Sequence, residues 1–184
     1  MPPAVEWLGQ YGLWGLALVS FIEAVFFPVP PDVLLIPMAV VNPDWALSYA
    51  LVTTLSSAAG GLAGRWLGIK AGRPLLSRFA SAGVMRQVET WFAHYGGWAV
   101  AFAALTPVPY KVFTIASGVF GVGWRPVLWG SLAGRGARFF FEAGVIMALG
   151  DRAVEFLGRY TGPVTLAAGV AVILWLLLRR RRRP

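Results

Sequence analysis

Apolar residues along this chain gather into seven runs, residues 13–27, 33–41, 45–69, 98–105, 112–122, 127–149 and 164–178. A straight helix needs about 20 residues to cross the hydrocarbon of a bilayer. The runs 45–69 and 127–149 meet that length. The run 164–178 is shorter, but Gly162 and Pro163 before it and Arg179 after it can lie at the two interfaces. The other four runs are too short, and they come in two pairs. Each pair is interrupted by a proline cluster: Pro28, Val29, Pro30, Pro31 and Asp32 in the first, Pro107, Val108, Pro109, Tyr110 and Lys111 in the second. Proline removes a backbone donor and restricts the residue before it, so each cluster breaks a helix. Broken helices at membrane depth persist only inside protein or against a wet cavity. Each pair is therefore expected to form a re-entrant helical hairpin that enters partway and returns. The run 13–27 could instead span if tilted in a thin bilayer.

The pairs are related by an internal repeat. At one constant offset Pro28, Val29, Pro30, Val33, Ile36, Val40 and Trp45 recur as Pro107, Val108, Pro109, Val112, Ile115, Val119 and Trp124. With a short gap, Tyr11, Gly12 and Trp14 also meet Tyr95, Gly96 and Trp98. Duplicated halves of this kind mark transporter folds. Each half holds one hairpin, which returns to its own side, and one full crossing, so the second half enters from the opposite face. The expected architecture is an all-α integral membrane protein of two inverted repeats, residues 11–70 and 95–150, within a single membrane domain of residues 1–184. Residues 74–94 join the repeats as an interfacial amphipathic helix, with Leu75, Phe79, Val88 and Phe92 at helical spacing and Arg78, Arg86, Gln87 and Glu89 mainly opposite. Residues 162–184 form a C-terminal transmembrane helix and polybasic tail.

Composition supports a bilayer. The chain is 58% hydrophobic and only 13% charged, where a soluble domain carries about 25% charged residues. The net charge of +8 could suggest nucleic acid as a partner. Ten of the 16 basic residues, however, lie at residues 65–86 and 179–183, flanking apolar segments, where anionic lipid headgroups and membrane orientation explain them better. Arg65, Lys70, Arg73, Arg78 and Arg86 place the central helix in the cytoplasm, and two further crossings return the tail of five arginines to the same side. The expected location is a cytoplasmic (inner) membrane, with a cytoplasmic C-terminus; a homo-oligomer is compatible with this pattern. The first basic residue is Arg65, so no signal-peptide basic region is expected. There is no cysteine, which excludes disulfides and thiolate metal sites. No metal cluster, phosphate-binding glycine loop or nucleophile–base set is legible, so neither cofactor nor enzymatic activity is expected. Ser56 and Ser57 have no activating neighbour in the sequence, and His94 stands alone.

The candidate chemistry lies in charges within apolar runs. A carboxylate at depth is expensive and is usually partnered or functional. Glu23 precedes the first proline break and Asp32 follows it, so the two could exchange a proton; alternatively, Glu23 is a structural ion-pair member and Asp32 a helix N-cap. Lys111 stands at the equivalent place in the second half, where it could bind a phosphate beside a half-helix N-terminus or reach for headgroups. Arg135, Arg138 and Glu142 share one helix face by their three- and four-residue spacing. Arg138 and Glu142 could neutralise one another, which leaves Arg135 in need of a carboxylate from another segment or an anionic ligand. Gly60, Gly64 and Gly68 are spaced for close helix packing.

The acidic hairpin FIEAVFFPVPPDVLLIP, the glycine-rich GGLAGRWLG, and TPVPYKVFTIASGVFGV followed by GRGARFFFEAG resemble the DedA family, also called SNARE-associated or VTT-domain membrane proteins, and its YqaA-like branch in particular. The resemblance spans roughly residues 11–150. It implies two opposed re-entrant hairpins and movement of lipids or polyprenyl-phosphate carriers across the membrane, coupled to protons. Glu23 and Asp32 match the family's hairpin acids, and Arg135 and Arg138 resemble the branch's basic pair. The family usually carries arginines around its second proline break; here Ala104 and Tyr110 stand near those positions, with Lys111 beside them. The leading expectation is a translocase for an anionic lipid such as undecaprenyl phosphate or a phospholipid. A proton-coupled small-ion transporter or channel and a non-transporting membrane scaffold are the alternatives.

Overall fold

The computed structural model describes residues 12–26, 29–76, 81–105, 110–150 and 152–153. The hairpin-breaking Pro28, Pro107 and Pro109, and the C-terminal helix and tail expected over residues 162–184, lie outside the described residues. Seven α-helices and no strands are present among the described residues: α1 (Gly12–Val25), α2 (Asp32–Val41), α3 (Ala46–Leu76), α4 (Ala82–Tyr95), α5 (Trp98–Leu105), α6 (Tyr110–Val119) and α7 (Trp124–Leu149). A 3-10 turn, Pro43–Trp45, leads into α3.

α3 is the axis of the fold. It packs along α7, α1 and α6, while α5 lies on α7. Glycine makes these approaches close. A methyl group on Gly60 would collide with the Phe21 carbonyl of α1, and one on Gly68 with the Ile115 carbonyl of α6. Gly64 lies between them, against Thr114 and Ala24. On α7, Gly134 does the same for α5: a Cβ there would stand 2.6 Å from the Ala101 carbonyl. The close-packing role expected of Gly60, Gly64 and Gly68 is thus what these residues perform.

Two apolar clusters form the core. One joins Val88 and Phe92 of α4 to Val100, Phe113, Ile115 and Val127. The other joins Leu16, Leu35, Tyr49, Phe139 and Ile146. Buried polar side chains, including Ser57, Ser131, Arg135 and Glu142, accompany these cores.

Among the described residues, length and composition make one helical stretch suitable for crossing a membrane, residues Pro43–Leu75. Residues 127–149, expected to cross as well, do not meet the same combination of length and composition. α7 is long enough at 26 residues, but every membrane-length stretch of it includes at least three of Arg125, Arg135, Arg138 and Glu142. α1 has 14 residues, about 21 Å of helix at 1.5 Å per residue, which is short of the roughly 30 Å hydrocarbon. Gly72, whose φ of 63° suits glycine, breaks the helical path of α3, and Pro74 lies in the helical turn that follows the break. α4 starts only after Ser81, whose Oγ accepts the Val84 amide at 3.4 Å.

Candidate functional site

The first proline break brings two acids to one face of α7. Glu23 sits in the last turns of α1, before the break, and Asp32 is the first residue of α2, after it. Asp32 does not cap α2: Pro31 occupies the N-cap, with no side-chain cap bond. Its carboxylate turns instead to α7, where Arg138 Nη2 donates to Asp32 Oδ2. Arg135 Nη2 donates to Glu23 Oε2. Arg135 thus finds its carboxylate on another segment, and two guanidiniums on successive turns of α7 hold the two arms of the broken helix.

Glu142 extends this network by one turn. Arg138 Nε donates to Glu142 Oε1 at 3.1 Å, so the internal pair does form, but Arg138 is shared between Glu142 and Asp32. The Arg135 side chain is 4% exposed, Glu23 17% and Asp32 15%, and Glu142 is fully buried. Among the described residues, four buried side-chain polar atoms have no hydrogen-bond partner: Asp32 Oδ1, Ser57 Oγ, Arg135 Nε and Glu142 Oε2. Three of them belong to this network. Ser57 is level with it on α3, because Gly61 faces Ser131 and Thr54 faces Gly136 on either side.

The second break contributes Tyr110, the first residue of α6. Its hydroxyl donates to Ser131 Oγ at 2.5 Å, and Ser131 in turn donates to the Val127 carbonyl at 2.6 Å. The Tyr110 ring lies 4.4 Å from the Arg135 guanidinium carbon, and the Phe139 ring lies 5.6 Å from it, within the range of a cation–π contact. Arg135 is therefore where a carboxylate from the first break meets an aromatic ring from the second. Lys111 lies at the edge of the network and donates to the Phe26 carbonyl at 3.5 Å, bridging the second break to the end of α1. Arg65 does not simply reach for the interface: its Nε donates to the Val122 carbonyl at 2.6 Å, tying α3 to the turn after α6.

Sequence reasoning brought Arg135, Arg138 and Glu142 to one face but missed Tyr110 and Ser131 as parts of the site. Ser131 stands four residues before Arg135, which is the available signal. Among the described residues, no group of three His, Asp or Glu side chains is placed to hold a metal ion. An apolar groove between Gly97, Trp98, Pro126, Trp129 and Gly130 opens beside the first turns of α7. Chemically, the network can exchange one acceptor on an arginine for another, or take up a proton.

Residues 27–148 match the family model of the VTT domain. An uncharacterized protein of Haemophilus influenzae is 36% identical over 143 residues, covering 76% of this chain and 74% of the relative. An uncharacterized protein of Histophilus somni is 34% identical over 186 residues, covering 95% and 94%. One from Methanocaldococcus jannaschii is 27% identical over 111 residues, covering 60% and 69%. No solved structure matches the chain. With the family model matched across both proline breaks and the arginine helix, the chain belongs to the VTT-domain, or DedA, family.

Proposed function

We propose that this protein is a membrane transporter that moves an anionic lipid headgroup, of a phospholipid or of a polyprenyl phosphate such as undecaprenyl phosphate, across the bacterial cytoplasmic membrane. The observation that carries the reading is the pair Arg135 and Arg138, each held by a carboxylate from a different arm of the first break. Phosphate oxygens accept from a guanidinium as carboxylate oxygens do. An incoming headgroup therefore competes with Glu23 and Asp32 for the same donors, and the unpartnered Nε of Arg135 adds a further one. A proton on either carboxylate weakens its hold and frees its arginine, which links proton uptake to headgroup uptake. Lys111 adds a positive charge at the second break.

In this reading α3 crosses the bilayer, and the helix pairs α1–α2 and α5–α6 are the re-entrant hairpins of inverted repeats, entering from opposite faces. The groove at Trp98 and Trp129 supports a lipid rather than a soluble ion. It is apolar and open, and Gly130 on its wall is about 7.5 Å along the helix axis from Arg135, at 1.5 Å per residue. An acyl chain can rest there while only the headgroup crosses the polar path.

The test is reconstitution into vesicles containing a fluorescent anionic lipid or a fluorescent zwitterionic lipid, with a membrane-impermeant quencher reading transbilayer movement. Faster movement of the anionic lipid than in protein-free vesicles is expected, and its loss in R138A. A scaffold reading is favoured by one observation: Glu23, Asp32, Arg135, Arg138 and Glu142 all have ion-pair partners inside the fold. It predicts no lipid movement at all. A small-ion carrier would instead give proton flux without lipid movement.

A further inference from the structure

We infer that Asp32 and Glu142 form a shared proton-binding site around Arg138, and that this triad, rather than the Glu23–Arg135 pair, carries the coupling proton. Glu23 and Arg135 are matched one to one. Arg138 is not: its Nη2 goes to Asp32 and its Nε to Glu142, so one guanidinium serves two carboxylates. Each carboxylate uses one oxygen on Arg138 and leaves the other, Asp32 Oδ1 and Glu142 Oε2, buried without a partner. Glu142 is also the one acid of the network with no solvent-exposed side-chain surface.

An uncompensated charge in such a place is strongly disfavoured by desolvation. Charged carboxylates are acceptors only, so neither orphan oxygen can satisfy the other while both acids are ionised. One proton, taken from water onto either orphan oxygen, removes the surplus charge and converts that oxygen into a donor. Two acids sharing a cation in this way bind the proton as a unit rather than as separate residues. The charged groups around the triad are Arg135 on α7 and Glu23 on α1, which neutralise one another. The other titratable groups on the elements packed here are Tyr49, Arg65, Lys70 and Arg73 on α3, Arg125 in the first turn of α7 and Asp44 on the 3-10 turn; Arg65 is tied to the Val122 carbonyl and Arg73 to Glu89. Sequence spacing presents Glu142 only as the internal partner of Arg138; the competition from Asp32 gives it this second role.

The inference deepens the transport reading and rests on it for one consequence only. Protonation leaves Arg138 with a single charged partner, so a phosphate can replace the weakened one, and proton and anion enter together.

The experiment has two arms. Infrared difference spectra of the purified full chain in lipid nanodiscs, recorded across the neutral pH range, read proton binding without any transport. A protonated-carboxyl stretching band that titrates in the wild type and is lost in E142Q or altered in D32N is expected. No such band, or the same band in both variants, overturns the site. A carboxylate band that instead shifts when sodium replaces choline marks a sodium site and equally overturns it. In the second arm, anionic-lipid movement in vesicles with an imposed pH gradient should be accelerated in wild type and insensitive to the gradient in E142Q; retained sensitivity overturns the coupling role. A wild type that moves no lipid defeats the transport reading, while the infrared arm still decides the proton site.

Discussion

Glu23 of α1 and Arg135 of α7, 112 positions apart in the chain, meet carboxylate to guanidinium with the Tyr110 ring of α6 stacked against the same arginine. Three elements separated in sequence thus converge on one cation. Removing one partner of a buried pair leaves the other charged and desolvated, at a cost of about 3–5 kcal/mol. R135A should therefore lower the thermal unfolding midpoint in detergent far more than E23Q, which keeps hydrogen-bonding atoms in place. A double-mutant cycle on E23Q and R135Q should return a coupling of roughly 1–3 kcal/mol. Additive losses would mean that the two side chains do not depend on one another.

Tyr110 holds Arg135 in two ways, and substitution separates them. Y110F removes the hydroxyl bond to Ser131, worth about 1 kcal/mol net, and keeps the ring. Y110L removes both, adding up to ~2 kcal/mol for a desolvated cation–π contact. The expected order of thermal stability is wild type, then Y110F, then Y110L, and S131A should resemble Y110F.

Glycines on α3 and α7 differ sharply in what surrounds them. A methyl at Gly68 meets the backbone of α6, which cannot yield as a flexible side chain would, so G68A should destabilise by about 1–3 kcal/mol or more. Gly144 has nothing within 4 Å of an added Cβ. G144A should therefore stabilise α7 by roughly 0.5–1 kcal/mol through helix propensity. Paired melting curves check both signs at once.

The exposed pair Arg73–Glu89, at 3.3 Å with side chains 68% and 48% exposed, is the counterpart outside the core. Exposed pairs contribute about 0–1 kcal/mol and are screened by salt. E89A should shift the melting midpoint little, and added salt should shrink the difference further.

Much of the fold was legible in the pattern of apolar runs. The ends of α5 coincide with the run 98–105, and α1 and α2 lie within two residues of theirs, because proline clusters and turns punctuate the chain where helices stop. The shared face of Arg135, Arg138 and Glu142 followed from helical spacing, and Arg135's need for a distant acid followed from its lack of a partner on its own helix. Which acid it takes could not be read, since Glu23 and Asp32 were equally eligible and only the packing of α1 and α2 on α7 separates them. Tyr110–Ser131 and Arg65–Val122 were hidden for the same reason: each joins positions whose proximity is set by tertiary packing. The spacing of Val88 and Phe92 marks α4 as amphipathic, but the break at Gly72 and the cap at Ser81 depend on backbone conformation that apolar spacing does not encode.

Lipid movement in the charge-balanced double variant E23Q/R135Q separates transport from architecture. The pair is exchanged for two neutral amides, so a folded protein is expected, verified by its melting curve. If Arg135 hands its carboxylate to an anionic headgroup, movement of fluorescent anionic lipid should fall at least about tenfold, equivalent to roughly 1.4 kcal/mol of lost barrier lowering. A folded double variant that moves the lipid as fast as wild type would contradict the exchange of Glu23 for a headgroup on Arg135.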